Sequence, residues 1–404
     1  MIPAIIIFAG TYLVMAIGRF PGNKLDRTGA ALLGAALMVG FGVLTPAQAV
    51  AAIDMQTIVL LLGMMIVVAN LRLSGFFRLA TNWAIARAKH PLALLAAIIA
   101  VTGILSAFLV NDAICLVMTP LVLDLVMRLK REPLPYLLGV AAASNAGSVA
   151  TITGNPQNMI IGSLSGIHYA SFAAALAPVA LFALLAAFIF IAATHPREFF
   201  RSGAIGAVAP AHVQYHPTLV VKTLIVLAAM VILFFLGLPV AEIAILGGAV
   251  LLFTRRINPQ KVYLDIDWPL LVMFAGLFVV VAGLEQTVLD PRTVAEIGRI
   301  DLNSIPILAV GAAALSNLVS NVPAVLVLRP FIETLADPER AWLVVAMAAT
   351  LAGNLTLVGS VANLIVVEKA RTRSVVIGFW QHFRVGAPLT IVTIAIGIAW
   401  LSLT

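Results

Sequence analysis

The sequence predicts an all-α polytopic membrane protein. It is read as two inverted repeats, each with a re-entrant helical hairpin and a broken transmembrane helix, with about 10–11 spans plus two hairpins. Three observations carry this. Of 404 residues, 62% are hydrophobic and only 10% charged, with a mean hydropathy of +1.11, whereas a soluble domain carries about 25% charged residues. Apolar runs long enough to cross a bilayer recur along the whole chain. The second half also repeats motifs of the first.

The first run, 2–17, has no basic n-region and no small-residue cleavage site, so it reads as a helix and not a cleavable signal peptide. Loop 19–27 holds Arg19, Lys24 and Arg27 and is assigned to the cytoplasm. That places the N-terminus outside and the protein in the cell (inner) membrane. Spans 28–44 and 55–71 follow, then the basic loop 72–89, inside. The arms 91–109 and 113–127 form a hairpin that returns to the same side, where "RLKRE" (128–132) lies. The span 134–162 is broken, 171–193 is continuous, and a cytoplasmic linker covers 194–217. Runs 218–237, 241–254 and 270–284 come next, then a second hairpin (304–335), a second broken helix (341–367) and a last span, 385–403. In this topology every Lys and Arg is inside except Arg292, Arg299, Arg329 and Arg340. The predicted units are therefore an N-terminal helix and loop (1–26), repeat 1 (27–193, with hairpin 91–127 and broken helix 134–162), the linker, and repeat 2 with its leading helix (218–404).

The repeat is legible in three motif pairs. "PAQAVAAID" (46–54) matches "PQKVYLDID" (259–267), "LSAFLVNDAICLVMTP" (105–120) matches "LSNLVSNVPAVLVLRP" (315–330), and "TITGNPQNMII" (151–161) matches "TLVGSVANLIV" (356–366). The offset shortens from 213 to 210 to 205 residues, as two old copies separated by small deletions would drift. One copy starts inside and the other outside, and inverted repeats of this kind mark secondary transporters.

"SNAGSVATITGNPQNMIIG" (144–162) is a polar, helix-breaking stretch lying at membrane depth. Non-helical backbone survives there only where protein or a water-filled cavity satisfies it. Matching breaks in two inverted halves point to a substrate site near the midplane. The predicted binding residues are Asn111, Gly154, Asn155 and Asn158 from the first half, with Ser320, Asn321, Gly359, Ser360 and Asn363 from the second. Asn111 or Asp112 is expected to cap the second hairpin arm, and Asn155 to cap a helix that Pro156 begins. Four donor-rich helix N-termini then converge, a setting for an oxyanion or a polyhydroxylated neutral solute. Asn145, Thr151, Thr153, Asn317, Asn354 and Thr356 are further candidates that serve equally well as packing groups. Each of these amides and hydroxyls can also be interhelical glue.

Asp112 is an acid at membrane depth, and such a group is a functional hypothesis by default. It is assigned to coupling, carrying a proton or ligating Na⁺; its counterpart is Val322. Asp124, Glu333 and Glu368 fall near the predicted interfaces, and Arg72 and Glu285, at aligned positions, end their spans. Cys115, the single cysteine, follows Asp112 by one turn and can touch a thiophilic cargo or simply pack. Alone, it excludes a disulfide framework and a Cys-based metal cluster. All six histidines fall at span ends or in loops, without a catalytic partner. An intramembrane enzyme is disfavoured for that reason, and no metal or organic cofactor is predicted beyond a coupling H⁺ or Na⁺. The net charge of +7 sits in short loops, so it reports orientation and not a nucleic-acid partner.

At "FLVNDAICLVMTP", "GSVATITGNPQN", "SNVPAVLVL" and "LTLVGSVANLI" the chain resembles the ion transporter superfamily, in particular its ArsB/NhaD branch and the YbiR-like anion permeases. The resemblance implies the inverted-repeat fold, a homodimer in membrane lipid, and an elevator-like movement of one part of each repeat. It also implies a cytoplasmic ATPase subunit, as some arsenite pumps have. Related dicarboxylate carriers hold carboxylates and Na⁺ at Ser-Asn-Thr hairpin tips. Here the tips read Val110-Asn111-Asp112 and Ser320-Asn321-Val322, a departure from that pattern. The four site segments contain no Lys or Arg, so Asp112 disfavours a dianion. The reading is arsenite/antimonite efflux by proton antiport. Its alternatives are a Na⁺- or H⁺-coupled permease for an inorganic or organic (dicarboxylate- or citrate-like) anion, and an NhaD-like Na⁺/H⁺ antiporter.

Overall fold

In the computed structural model, residues 2–18, 25–80, 90–200, 203, 215–254, 257–287 and 301–404 are described, and every element among them is helical. The first half opens with α1 (Ile2–Ile17), α2 (Arg27–Gly40), the short α3 (Pro46–Ala52) and α4 (Met55–Ser74). A hairpin follows, α5 (Pro91–Phe108) and α6 (Asn111–Arg128), then a helix broken into α7 (Pro133–Ser148), a 3₁₀ turn (Ile152–Gly154) and α8 (Pro156–Ser165). Next come α9 (Tyr169–Thr194) and the short α10 (Pro196–Phe200). The second half runs α11 (Pro217–Phe235), α12 (Val240–Leu252), α13 (Pro259–Tyr263) and α14 (Trp268–Thr287). Its hairpin is α15 (Ile305–Val319) and α16 (Asn321–Ile332), its broken helix α17 (Pro338–Ala352) and α18 (Val361–Arg371), and α19 (Phe379–Leu403) ends it. The plan is the expected one. Most of the predicted linker 194–217 lies outside the described residues.

Among the described residues, six helices are long and apolar enough to cross a membrane: α4, α5, α9, α11, α14 and α19. The arms of the second hairpin, 15 and 12 residues long, reach only about 22 and 18 Å at 1.5 Å per residue. They are too short to cross a hydrocarbon core of about 30 Å, so this hairpin is re-entrant.

Packing between the halves follows a pseudo-two-fold rule. Helix α12 of the second half packs along α4 of the first, and α14 packs along α2. Aligned glycines permit both crossings. A Cβ on Gly63 would overlap the backbone of Ala244, and one on Gly276 would lie 2.7 Å from the carbonyl of Ala31. Small residues allow the close backbone approach from which bundles in lipid gain their dispersion energy. These helices form a scaffold. The hairpins and broken helices pack as a second set: α5 on α7, α15 on α17, α18 on α6, and α9 on α19.

Candidate functional site

Both breaks are held open in the same way. Asn158 Nδ2 donates to the carbonyls of Ser148 and Thr151, each at 3.0 Å. Its counterpart Asn363 donates to Gly353 (2.7 Å) and Thr356 (3.0 Å). Carbonyls freed by the unwinding are thus satisfied by one amide per half, as lipid-depth backbone requires. Gly154 approaches the Ser148 backbone too closely for any Cβ, and one on Gly359 would lie 2.8 Å from Asn317 Oδ1. Asn155 caps α8 as expected, accepting from Asn158 N at 2.8 Å, with Pro156 at the first helical position. Its amide reaches Ser148 and, at 3.3 Å, Thr350 of the other half. Ser360 caps α18 through Ala362 N (3.2 Å).

The hairpin tips differ from expectation. Asn111 and Asp112 are the first residues of α6, and Val110 at the cap position offers no side-chain bond. Neither Asn111 nor Asp112 caps the helix, because the cap position falls one residue earlier, on Val110, which has no acceptor to offer. Ser320 occupies the cap of α16 with φ +79° and ψ 160° and makes no cap bond either. That conformation is close to glycine-only and costs about 1–3 kcal/mol in a serine.

Asn145, fully buried, joins the halves. Its Oδ1 accepts from Asn111 Nδ2 (3.4 Å) and Ser360 Oγ (3.0 Å), while its Nδ2 donates to Asn354 Oδ1 (2.9 Å) and Asn363 Oδ1 (3.2 Å). One amide therefore ties the first hairpin tip to the second broken helix. By the 205-residue offset Asn145 aligns with Thr350; Asn354, which it bonds, keeps its own Nδ2 buried and unpartnered. Thr151 bonds the carbonyl of Ala107, and Thr153 meets the Tyr169 hydroxyl at 2.8 Å. Asn317 donates to Ala313 and Ala352, and Thr356 serves through its carbonyl.

The N-termini of α6, α8, α16 and α18 converge on one cavity of about 30 Å³, roughly room for a water molecule. Of the expected site residues, Asn111, Asp112, Ser320, Asn321 and Ser360 line it. Asn155, Asn158, Gly154, Gly359 and Asn363 do not line it; they build the breaks that aim it. Asn111 Oδ1 is buried there without a partner, and Asn321 is held by Ser316 Oγ at 2.7 Å. Among the described residues, Asp112 is the one ionisable residue on its wall. Cys115 is packed away, fully buried, and lines none of the described cavities.

Sequence reasoning missed five residues. Gln157 lines the cavity and donates to Thr350 Oγ1 at 3.0 Å; its signal was a polar residue one place after Pro156. Leu270, Met273 and Phe274 of α14 close the cavity from the scaffold, and nothing in an apolar span distinguishes them. His382, read as peripheral, is buried on α19 with Nε2 2.9 Å from the carbonyl of Asn354. It lies one turn into a helix that starts earlier than the apolar run does.

Paired re-entrant hairpins and interrupted helices, meeting around a small polar cavity inside a long-helix scaffold, define a membrane transporter of small solutes. Residues 11–344 match the family model described as citrate transporter, and the chain belongs to that family. It is 31% identical to an uncharacterized transporter of Mycobacterium tuberculosis, over 98% of this chain and 97% of that one. It is 29% identical to the silicon efflux transporter LSI3 of Oryza sativa subsp. japonica, over 96% and 95%, and 26% identical to a Dictyostelium discoideum transporter carrying the name arsB, over 93% and 87%. The crystal structure of the Alcanivorax borkumensis YdaH transporter shares the fold, with a TM-score of 0.60 at 16% identity over 99% of this chain and 95% of that one. The likeness to the ArsB/NhaD-like permease branch expected from the motifs holds.

Proposed function

We propose that the protein exports arsenite or antimonite, as the neutral hydroxide, in exchange for a proton carried on Asp112, through an elevator-type movement of hairpins and broken helices against the scaffold. The observation that carries this is the charge of the cavity wall: four helix N-termini, amides and hydroxyls, with Asp112 as the one ionisable group and no cation. At about 5 Å and an effective dielectric of ~20, a carboxylate repels each negative charge of a cargo by about 3 kcal/mol. A neutral hydroxide meets no such repulsion and can donate to and accept from the amides. The names of the rice and Dictyostelium relatives support metalloid efflux. Loop charge supports an N-terminus outside and a multi-pass place in the inner membrane, and the resemblance supports a homodimer.

The family description and the four converging helix dipoles favour a second reading, proton- or sodium-coupled passage of a citrate-like anion. Uptake of radioactive arsenite into everted vesicles separates the two. Accumulation driven by a pH gradient and lost in Asp112→Asn is expected. Sodium-driven succinate or citrate uptake with arsenite ignored overturns the first reading in favour of the second.

A further inference from the structure

Two vestibules flank the central cavity, and the internal repeat relates them. One, about 220 Å³, is lined by Met65, Val68, Ala69 and Arg72 of α4. The other, about 280 Å³, is lined by Phe278, Val281, Ala282 and Glu285 of α14, the same positions shifted by 213 residues. Each is lined by a scaffold charge and an opposite charge on the hairpin: Arg72 and Asp112 in one, Glu285 and Arg329 in the other, with Arg329 itself paired to Glu333. Only the first reaches a hairpin tip, because Asp112 lines both that vestibule and the central cavity.

Within the first vestibule the charges are unevenly satisfied. Arg72 is paired with Asp265, whose Oδ2 is buried without a hydrogen bond. Asp112 accepts no hydrogen bond from any described residue; Asp267, the N-terminal anchor of α14 through Leu270 N (3.0 Å), lines the same space. Of the elements packed on α6, α5 carries no charged residue, and α7 has Tyr136 near its start, bonded to Glu198. Helix α18 bears Glu368, Lys369 and Arg371 at its far end, and Arg373 beyond it pairs with Asp124. Among the described residues, Arg72 is thus the one cation that lines the vestibule with Asp112. It also borders a wider recess with Arg78 and His216.

We propose that Arg72 is the alternative partner of Asp112, leaving Asp265 for Asp112 as the hairpin slides and so discharging the coupling proton into this vestibule. The exchange balances. The O–H bond of Asp112 breaks, its carboxylate takes the guanidinium, and the proton passes to the carboxylate of Asp265 that Arg72 has left, from which it escapes to water. Arg72 stays charged throughout. It is a positioning residue for the coupling ion and touches no cargo.

The inference rests on Asp112 as proton carrier, and its test reads protonation without any cargo. The carboxylic-acid C=O stretch of the protein in liposomes is titrated by infrared difference spectroscopy. A band lost in Asp112→Asn identifies the carrier. Arg72→Gln is expected to move that band's midpoint to higher pH by about one unit or more, as loss of a nearby opposite charge does. Asp265→Asn, which frees Arg72, is expected to move it the other way, and Arg72→Lys to hold it near the parent. The double variant Arg72→Gln/Asp265→Asn leaves no stranded buried charge, so it folds independently of the pair and shifts as Arg72→Gln does. A band that belongs to Asp112 but stays unmoved in every Arg72 and Asp265 variant overturns the inference while sparing the carrier reading. A band indifferent to Asp112→Asn overturns both.

Discussion

Replacing Asn145 with leucine, which keeps the same branched heavy-atom skeleton, removes the one side chain among the described residues that bonds both hairpin tip and opposite broken helix. Four hydrogen bonds are lost, to Asn111, Ser360, Asn354 and Asn363. All four partners are buried, so water does not replace the missing amide. Interhelical hydrogen bonds in bilayer proteins average about 0.6 kcal/mol and reach ~1.7, which brings the expected loss to about 2.5–7 kcal/mol. Thermal unfolding of the purified protein, followed by tryptophan fluorescence, is expected to show a midpoint lower by about 5 °C or more. Transport in vesicles is expected to fall more than tenfold, because closure over cargo needs tip and break in register. A double-mutant cycle with Asn363→Leu isolates the link between halves; the two losses are expected to fall short of additive. An Asn145→Leu protein that melts within a degree of the parent and transports at its rate refutes the hub.

Further expectations follow from the backbone. Gly63→Ala and Gly276→Ala each force a methyl into a facing backbone and are expected to cost about 1–3 kcal/mol; Gly311→Ala, with nothing within 4 Å, is expected to be neutral or to gain a few tenths. Equal melting of all three variants contradicts the paired crossings. Ser320→Gly relieves the strained tip and is expected to raise stability by about 1 kcal/mol while Ser320→Val lowers it, a difference read in the same melting assay. His382→Phe keeps the bulk on α19 but strands the Asn354 carbonyl, with an expected loss of about 1–3 kcal/mol; an unchanged melt shows that bond to be idle.

What could be read from the chain was whatever local chemistry dictates. Pro156 after Asn155, Gly154 before them, and the copy at Gly359–Asn363 announce breaks, since a capped, proline-started helix must begin where the previous one stops. Convergence of the four N-termini followed from the inverted orientation of two like units. Partner choice did not follow. Asn145 and Asn158 look alike in sequence, yet one bridges the halves and the other is spent on its own loop carbonyls, a distinction that depends on contacts some two hundred residues away. His382 was misplaced because hydropathy marks where a span turns apolar and not where its helix starts. The twisted backbone of Ser320 has no signature at all, since serine is common at helix caps.

The same drift between copies that blurs the repeat also makes the charges on the two faces unlike. Here position 72 is arginine and its twin, 285, is glutamate; position 112 is aspartate and its twin, 322, is valine. The vestibule that reaches Asp112 is lined by Arg72 with Asp265 and Asp267, whereas the other is lined by Glu285 with Arg329 and stops short of its hairpin tip. Exchanging the charges, as in Arg72→Glu with Glu285→Arg, breaks the pair with Asp265 and is expected to lower the melting midpoint and to weaken the response of transport to a pH gradient of either sign. Unchanged pH-driven accumulation in that protein would show that these charges take no part in coupling.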